Sequence, residues 1–168
     1  MSLLNDSRIR LALGVAVVVL VLDQLTKQLV QHLMTLNETI PLLPGVALTY
    51  VRNSGAAFSM LSGAPEAVRV PLFLTVTVVA VIALISYLRT TPADRWGLIA
   101  ALGGILGGAI GNFVCRVRYG EVIDFAHVYY GEWSWPMFNV ADSAITVGVV
   151  VVLLASLREP APELTTQR

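Results

Sequence analysis

Met137-Phe138-Asn139-Val140-Ala141-Asp142-Ser143-Ala144-Ile145-Thr146 opens an apolar run that continues to Leu157. Asp142 stands where that run enters a bilayer. An ionised carboxylate at that depth is costly, so it requires a partner or a chemical task. A second acid, Asp124, lies upstream across an aromatic loop. The two carboxylates are expected to meet and to hydrolyse a peptide bond at the membrane surface. Two acids brought together cannot both ionise comfortably, so one keeps its proton and the pair titrates as a unit. That state suits hydrolysis: the ionised acid takes a proton from water, and the neutral one polarises the scissile carbonyl.

Composition agrees with a membrane setting. The chain has 168 residues, is 56% hydrophobic and only 13% charged, and has a mean hydropathy of +0.75. A soluble domain carries about 25% charged residues, so this chain has too few to cover a water-facing surface. Eleven basic residues balance eleven acidic ones, which leaves a nucleic-acid partner without support. A single cysteine, Cys115, excludes an internal disulfide and any multi-cysteine metal site. The first apolar run lacks a small-residue cleavage site after it and reads as a retained span.

The pattern predicts an all-α membrane protein: one domain over 1–168, four spanning helices and a small β-cradle. The helices fall at about 10–32, 68–89, 96–117 and 138–157. Leu11 to Leu22 is too short to span, so the first helix continues through Asp23, Gln24 and Lys27. Asp23 and Lys27, at i and i+4, share a face and can pair. Pro71 is expected in the first turn of the second helix, where its missing N–H costs nothing. In the third helix Gly103, Gly107 and Gly111 recur every four residues, as do Gly104 and Gly108. Such spacing lets helices approach closely. Residues 38–64 and 120–136 are expected as surface β segments. Val46 to Arg52 is rich in β-formers, Asn53-Ser54-Gly55 reads as a turn, and Val122 to Tyr129 alternates as a strand does. Tyr129, Tyr130, Trp133 and Trp135 fit an interfacial aromatic belt. The tail, 158–168, is polar with two prolines and is expected to be disordered.

Four spans put both termini on one side, with Arg8, Arg10, Arg89, Arg95, Arg158 and Arg168. The opposite side holds Arg52, Arg69, Arg116 and Arg118. The excess favours cytoplasmic termini. Asp23, Lys27, Asn53, Asn112, Arg116, Asp124, Asn139 and Asp142 then gather at the outer ends of the helices. Each has a plainer alternative. Asp142 serves as a helix N-cap or pairs with Arg116; Asp124 is an ordinary acid in a surface strand. Asp23 and Lys27 form a structural salt bridge. Asn53 makes a turn, and Asn112 hydrogen-bonds between helices. His127 and His32 lie at the interface and a helix end, and Cys115 packs as a small residue. A small proton-coupled transporter is the rival function, since it too places carboxylates in membrane helices. It usually shows internal repeats, and none is visible in this sequence.

From Leu22 to Gly148 the chain resembles the bacterial lipoprotein signal peptidases (signal peptidase II). The matching stretches are Asp23-Gln24-Leu25-Thr26-Lys27, Asn53-Ser54-Gly55-Ala56-Ala57-Phe58 and Gly107-Gly108-Ala109-Ile110-Gly111-Asn112. Arg116, Gly120, Val122-Ile123-Asp124-Phe125 and Phe138-Asn139-Val140-Ala141-Asp142-Ser143 complete the set. The resemblance implies an aspartyl endopeptidase of the bacterial inner membrane, with a periplasmic cradle and the active site near that face. It implies removal of signal peptides from prolipoproteins, with the cut before a cysteine already bearing diacylglyceryl. By it Asp124 and Asp142 are the dyad, and Asn53, Gly55, Asn112, Arg116, Asn139 and Ala141 bind substrate. Asp23 and Lys27 support the fold. The partners implied are the prolipoprotein and membrane lipid, with the chain a monomer. No metal or organic cofactor is implied, because the activated group is a water between two acids. Where the family usually has an acid before the arginine, this chain has Cys115. That acid would help hold the arginine or the end of the third helix.

Overall fold

A computed structural model describes residues 6–55, 61 and 63–157. The chain runs α1 (Ser7–Leu33), β1 (Thr39–Leu43), β2 (Val46–Asn53), α2 (Glu66–Thr90), α3 (Trp96–Tyr119), β3 (Val122–Tyr130), β4 (Trp133–Ser134) and α4 (Val140–Leu157). All four helices are long and apolar enough to cross a membrane. The β segments form an antiparallel sheet in chain order, β1-β2-β3-β4. The fold is thus four helices with a sheet rather than helix alone.

Glycine decides the packing. α3 is the central helix: 61% of its apolar window is buried, against 6–17% for the other three. Its two glycine rows serve two neighbours. A Cβ on Gly103 or Gly107 would lie 2.5 Å from the carbonyl oxygen of Ala12 or Ala16 in α1, and one on Gly108 would lie 2.5 Å from that of Ala141 in α4. The next glycine of the α1 row, Gly111, makes room for the Asp23 carboxylate. Away from α3, the helices show large apolar side chains such as Val17, Val79, Ile82 and Leu153 to the surroundings. Such faces are stable against lipid and not against water.

Two ends of the bundle differ. At one, Arg8 donates to the carbonyls of Arg89 and Thr91, and Ala12 packs with Leu88, Leu98, Val152 and Ala155. At the other, Gly120 ends α3 with φ 69°, and β3 follows directly. There Val30, Met34, Tyr50, Cys115, Val122 and Ile123 join helix to sheet.

Two expectations change. α2 begins at Glu66, so Pro71 lies inside the helix and not in its first turn; it removes the N–H that would bond the Ala67 carbonyl. The strict in-out alternation of β3 fails at its start. Val122, Ile123 and Asp124 are all buried, because helix covers one face there and the cavity wall the other. Strand β2 ends at Asn53. Residues 56–60, 62 and the tail 158–168, with the expectation of disorder for that tail, lie outside the described residues.

Candidate active site

Asp124 comes from β3 and faces Val51 of β2 in the register. Asn53, two residues on, therefore projects to the same face. Its Nδ2 donates to Asp124 Oδ2 at 3.0 Å. Asn53 makes its turn as well, accepting the Gly55 N–H on Oδ1 at 2.9 Å.

Asp142 comes from the first turn of α4, and Asn139 is the cap of that helix. Asn139 Oδ1 accepts the Asp142 N–H at 2.9 Å, and the Asn139 N–H donates to Asp142 Oδ2 at 3.2 Å. This is a reciprocal capping box. Asp142 is thus the third helical residue answering the cap, not the cap itself. It forms no ion pair with Arg116 among the described residues.

One asparagine joins the two acids. Asn139 Nδ2 donates to Asp124 Oδ1 at 2.7 Å, while its backbone N–H holds Asp142. Asn112 Nδ2 takes the other oxygen of Asp142 at 2.8 Å. Beneath them, Lys27 Nζ donates to Asn112 Oδ1 at 2.9 Å and to Asp23 Oδ2 at 2.8 Å. Asp23 Oδ1 accepts the Ala141 N–H at 3.0 Å. The Asp23–Lys27 pair is a structural salt bridge that also orients the amide facing Asp142. Spacing along α1 shows the pair; it does not show the reach to Asn112, which depends on the missing side chains of α3.

Both acids line a cavity of about 800 Å³ with Asn53, Asn112 and Arg116, among apolar walls that include Val51, Trp135, Met137, Phe138 and Ile145. Asp124 is only 2% exposed. Burial first, and the Asp142 charge second, push its carboxyl up to about 7, against the pull of the Asn53 and Asn139 amides. Three of the residues expected to bind substrate do not stand on the cavity wall. Asn139 and Ala141 are buried behind it: the Asn139 amide donates to Asp124 and to the Ile123 carbonyl, and the Ala141 N–H to Asp23. Gly55 is buried too, its carbonyl accepting from Arg116 Nη2 at 3.4 Å. Arg116 also lies 4.8 Å from the centre of the Phe73 ring. Cys115 makes no hydrogen bond to Arg116 among the described residues. The thiol turns into the helix–sheet core, 3.9 Å from Gln24 Nε2. The aromatic and apolar wall from Trp135 to Phe138 went unassigned in the sequence, where it reads as a belt and a helix entry.

The arrangement has known counterparts. Residues 15–158 match the family model described as signal peptidase (SPase) II. A lipoprotein signal peptidase of Nitratidesulfovibrio vulgaris is 44% identical over 92% of this chain and 93% of its own length. One of Geobacter sulfurreducens is 48% identical over 83% of this chain and 87% of its own. Two solved structures described as bacterial membrane enzymes superpose with TM-scores of 0.80 and 0.77, at 30% and 31% identity. They cover 94% and 89% of this chain, and 93% and 94% of theirs. A transporter has no support among these relatives, and that alternative is set aside. With the family model spanning nearly all of the membrane domain, and with the acids, asparagines and buried ion pair in one connected site, the chain belongs to the signal peptidase II family.

Proposed function

We propose that Asp124 and Asp142 are the catalytic dyad with which this aspartic peptidase removes signal peptides from prolipoproteins, cutting before a diacylglyceryl-modified cysteine. The supporting observation is the joint hold of Asn139 on both acids at the wall of one mostly apolar cavity. At neutral pH and below, Asp124 carries the shared proton, as its raised titration favours. Asp142 takes a proton from water, whose oxygen attacks the scissile carbonyl, and Asp124 gives its proton to the carbonyl oxygen. The tetrahedral species collapses by breaking the C–N bond: the leaving amine takes the proton from Asp142, and one hydroxyl of the gem-diol returns its proton to Asp124 as the product's carbonyl forms. Asn53, Asn112 and Arg116 face the peptide. Asn139, Ala141 and Gly55 hold the wall behind it, and Asp23 and Lys27 support them.

The lipid anchor and the apolar signal peptide enter from the bilayer beside the sheet. The arginine excess at the end holding both termini supports cytoplasmic termini, with sheet and dyad at the periplasmic face of the bacterial inner membrane. The site is complete within one chain, which supports a monomer as the active form.

The test is cleavage, in lipid, of a diacylated prolipoprotein and of a matching unlipidated control. Asp124→Asn and Asp142→Asn are each expected to lower kcat by about 10³-fold or more while keeping the wild-type helical content. Full turnover by either folded variant would overturn the dyad.

A further inference from the structure

Arg69 lies in the first turn of α2, at the end beside the sheet, and is 7% exposed. Arginine cannot shed its charge, so a buried guanidinium needs acceptors on every N–H. Among the described residues Nη1 reaches only the Ala64 carbonyl, at a long 3.5 Å. Nε has no hydrogen-bond partner, the sole such buried side-chain atom among the described residues. Nor does an acid pair with it among them. Glu66, one turn back, is turned away toward Gly120, where its Oε1 would lie 2.8 Å from an added Cβ.

The surroundings favour an anion. Pro65 supplies no side-chain cap to α2, so the positive end of a 25-residue helix is left beside the guanidinium. Phe73, one turn along the same face, carries Arg116 on its ring. Two arginines thus share one face of α2; Arg116 faces the two acids of the cavity, whereas Arg69 has no ion pair among the described residues. A phosphate matches this set, because its oxygens suit the planar N–H fork of arginine.

We propose that Arg69 and the N-terminal turn of α2 bind a phosphate group, supplied by a membrane phospholipid. The end of a spanning helix beside a surface sheet is the level at which lipid headgroups lie. The diacylglyceryl anchor of the substrate carries no phosphate, so the bound lipid is a second molecule next to the cavity. The site does not depend on the dyad assignment, and its test involves no turnover.

The experiment is thermal unfolding of the full chain in dodecyl maltoside, which has no phosphate. Dioctanoyl phosphatidylglycerol, dioctanoylglycerol and inorganic phosphate are titrated separately into wild type, Arg69→Gln and Arg69→Lys. The midpoint of wild type is expected to rise by about 5 °C at saturating phosphatidylglycerol and to stay put with dioctanoylglycerol. The rise should vanish in Arg69→Gln and persist in part in Arg69→Lys. An equal rise with inorganic phosphate alone supports the phosphate site and overturns its lipid source. No rise in wild type with either phosphate compound, or an equal rise with dioctanoylglycerol, overturns the site whatever the variants do. So does a full rise retained in Arg69→Gln.

Discussion

Lys27 is a charge kept where there is almost no water, at 1% exposure, against an Asp23 that is fully buried. Removing one partner of such a pair strands the other. Lys27→Met is therefore expected to cost about 3–5 kcal/mol, read by unfolding in detergent. Asp124 gives the pH dependence. In the proposed mechanism, its raised titration means that the proton for the scissile carbonyl is present below about 7. The value of kcat/KM is expected to fall as pH rises through that range, while a pH profile flat from 6 to 9 would count against Asp124 as the acid. These tasks were unequally legible. The cost of Asp142 in an apolar run is visible in the chain, because hydropathy is a local quantity. Its capping box with Asn139 is visible as spacing. The bond from Lys27 to Asn112 is not, since it crosses 85 positions.

At the scale of elements, α3 holds the bundle together by what it lacks. Its glycine rows bring the carbonyls of α1 and α4 against its backbone. Gly107→Val and Gly108→Val are each expected to destabilise by about 2–3 kcal/mol, with Gly108→Val lowering turnover as well. The reason is position: a side chain there pushes on the Ala141 carbonyl, one residue from Asp142. Gly97 has open space at its Cβ position, so Gly97→Ala on the same helix is the control and should leave both measurements near wild type. The four-residue spacing was readable as close packing. Which row meets which helix was not, because α1 and α4 both offer small residues. The reach of α2 back to Glu66 also escaped notice, since Arg69 breaks its apolar run and Pro71 imitates a helix start.

For the whole molecule, the proposed dyad sits at one end, and the helices turn large apolar side chains outward along their length. Val79, near the middle of α2, is 61% exposed and belongs to that apolar surface. Val79→Lys is expected to raise the cost of insertion by about 3 kcal/mol, seen as a reduced membrane-inserted fraction with no change in the kinetics of what does insert. A shift in KM of the inserted enzyme would place Val79 in a protein-lined site instead.

What the sequence by itself determined is four helices long and apolar enough to span, β-rich stretches between them, and a set of polar residues too costly to lie in lipid without use. Those features follow from hydropathy and spacing, which neighbouring residues fix together. Tertiary structure alone decided that Asn139 holds both acids, that Ala141 and Gly55 back the wall instead of forming it, and that Arg69 is buried without a carboxylate. Each of these depends on which distant backbones lie close enough for a hydrogen bond of about 3 Å, and such proximity is a property of the packed bundle.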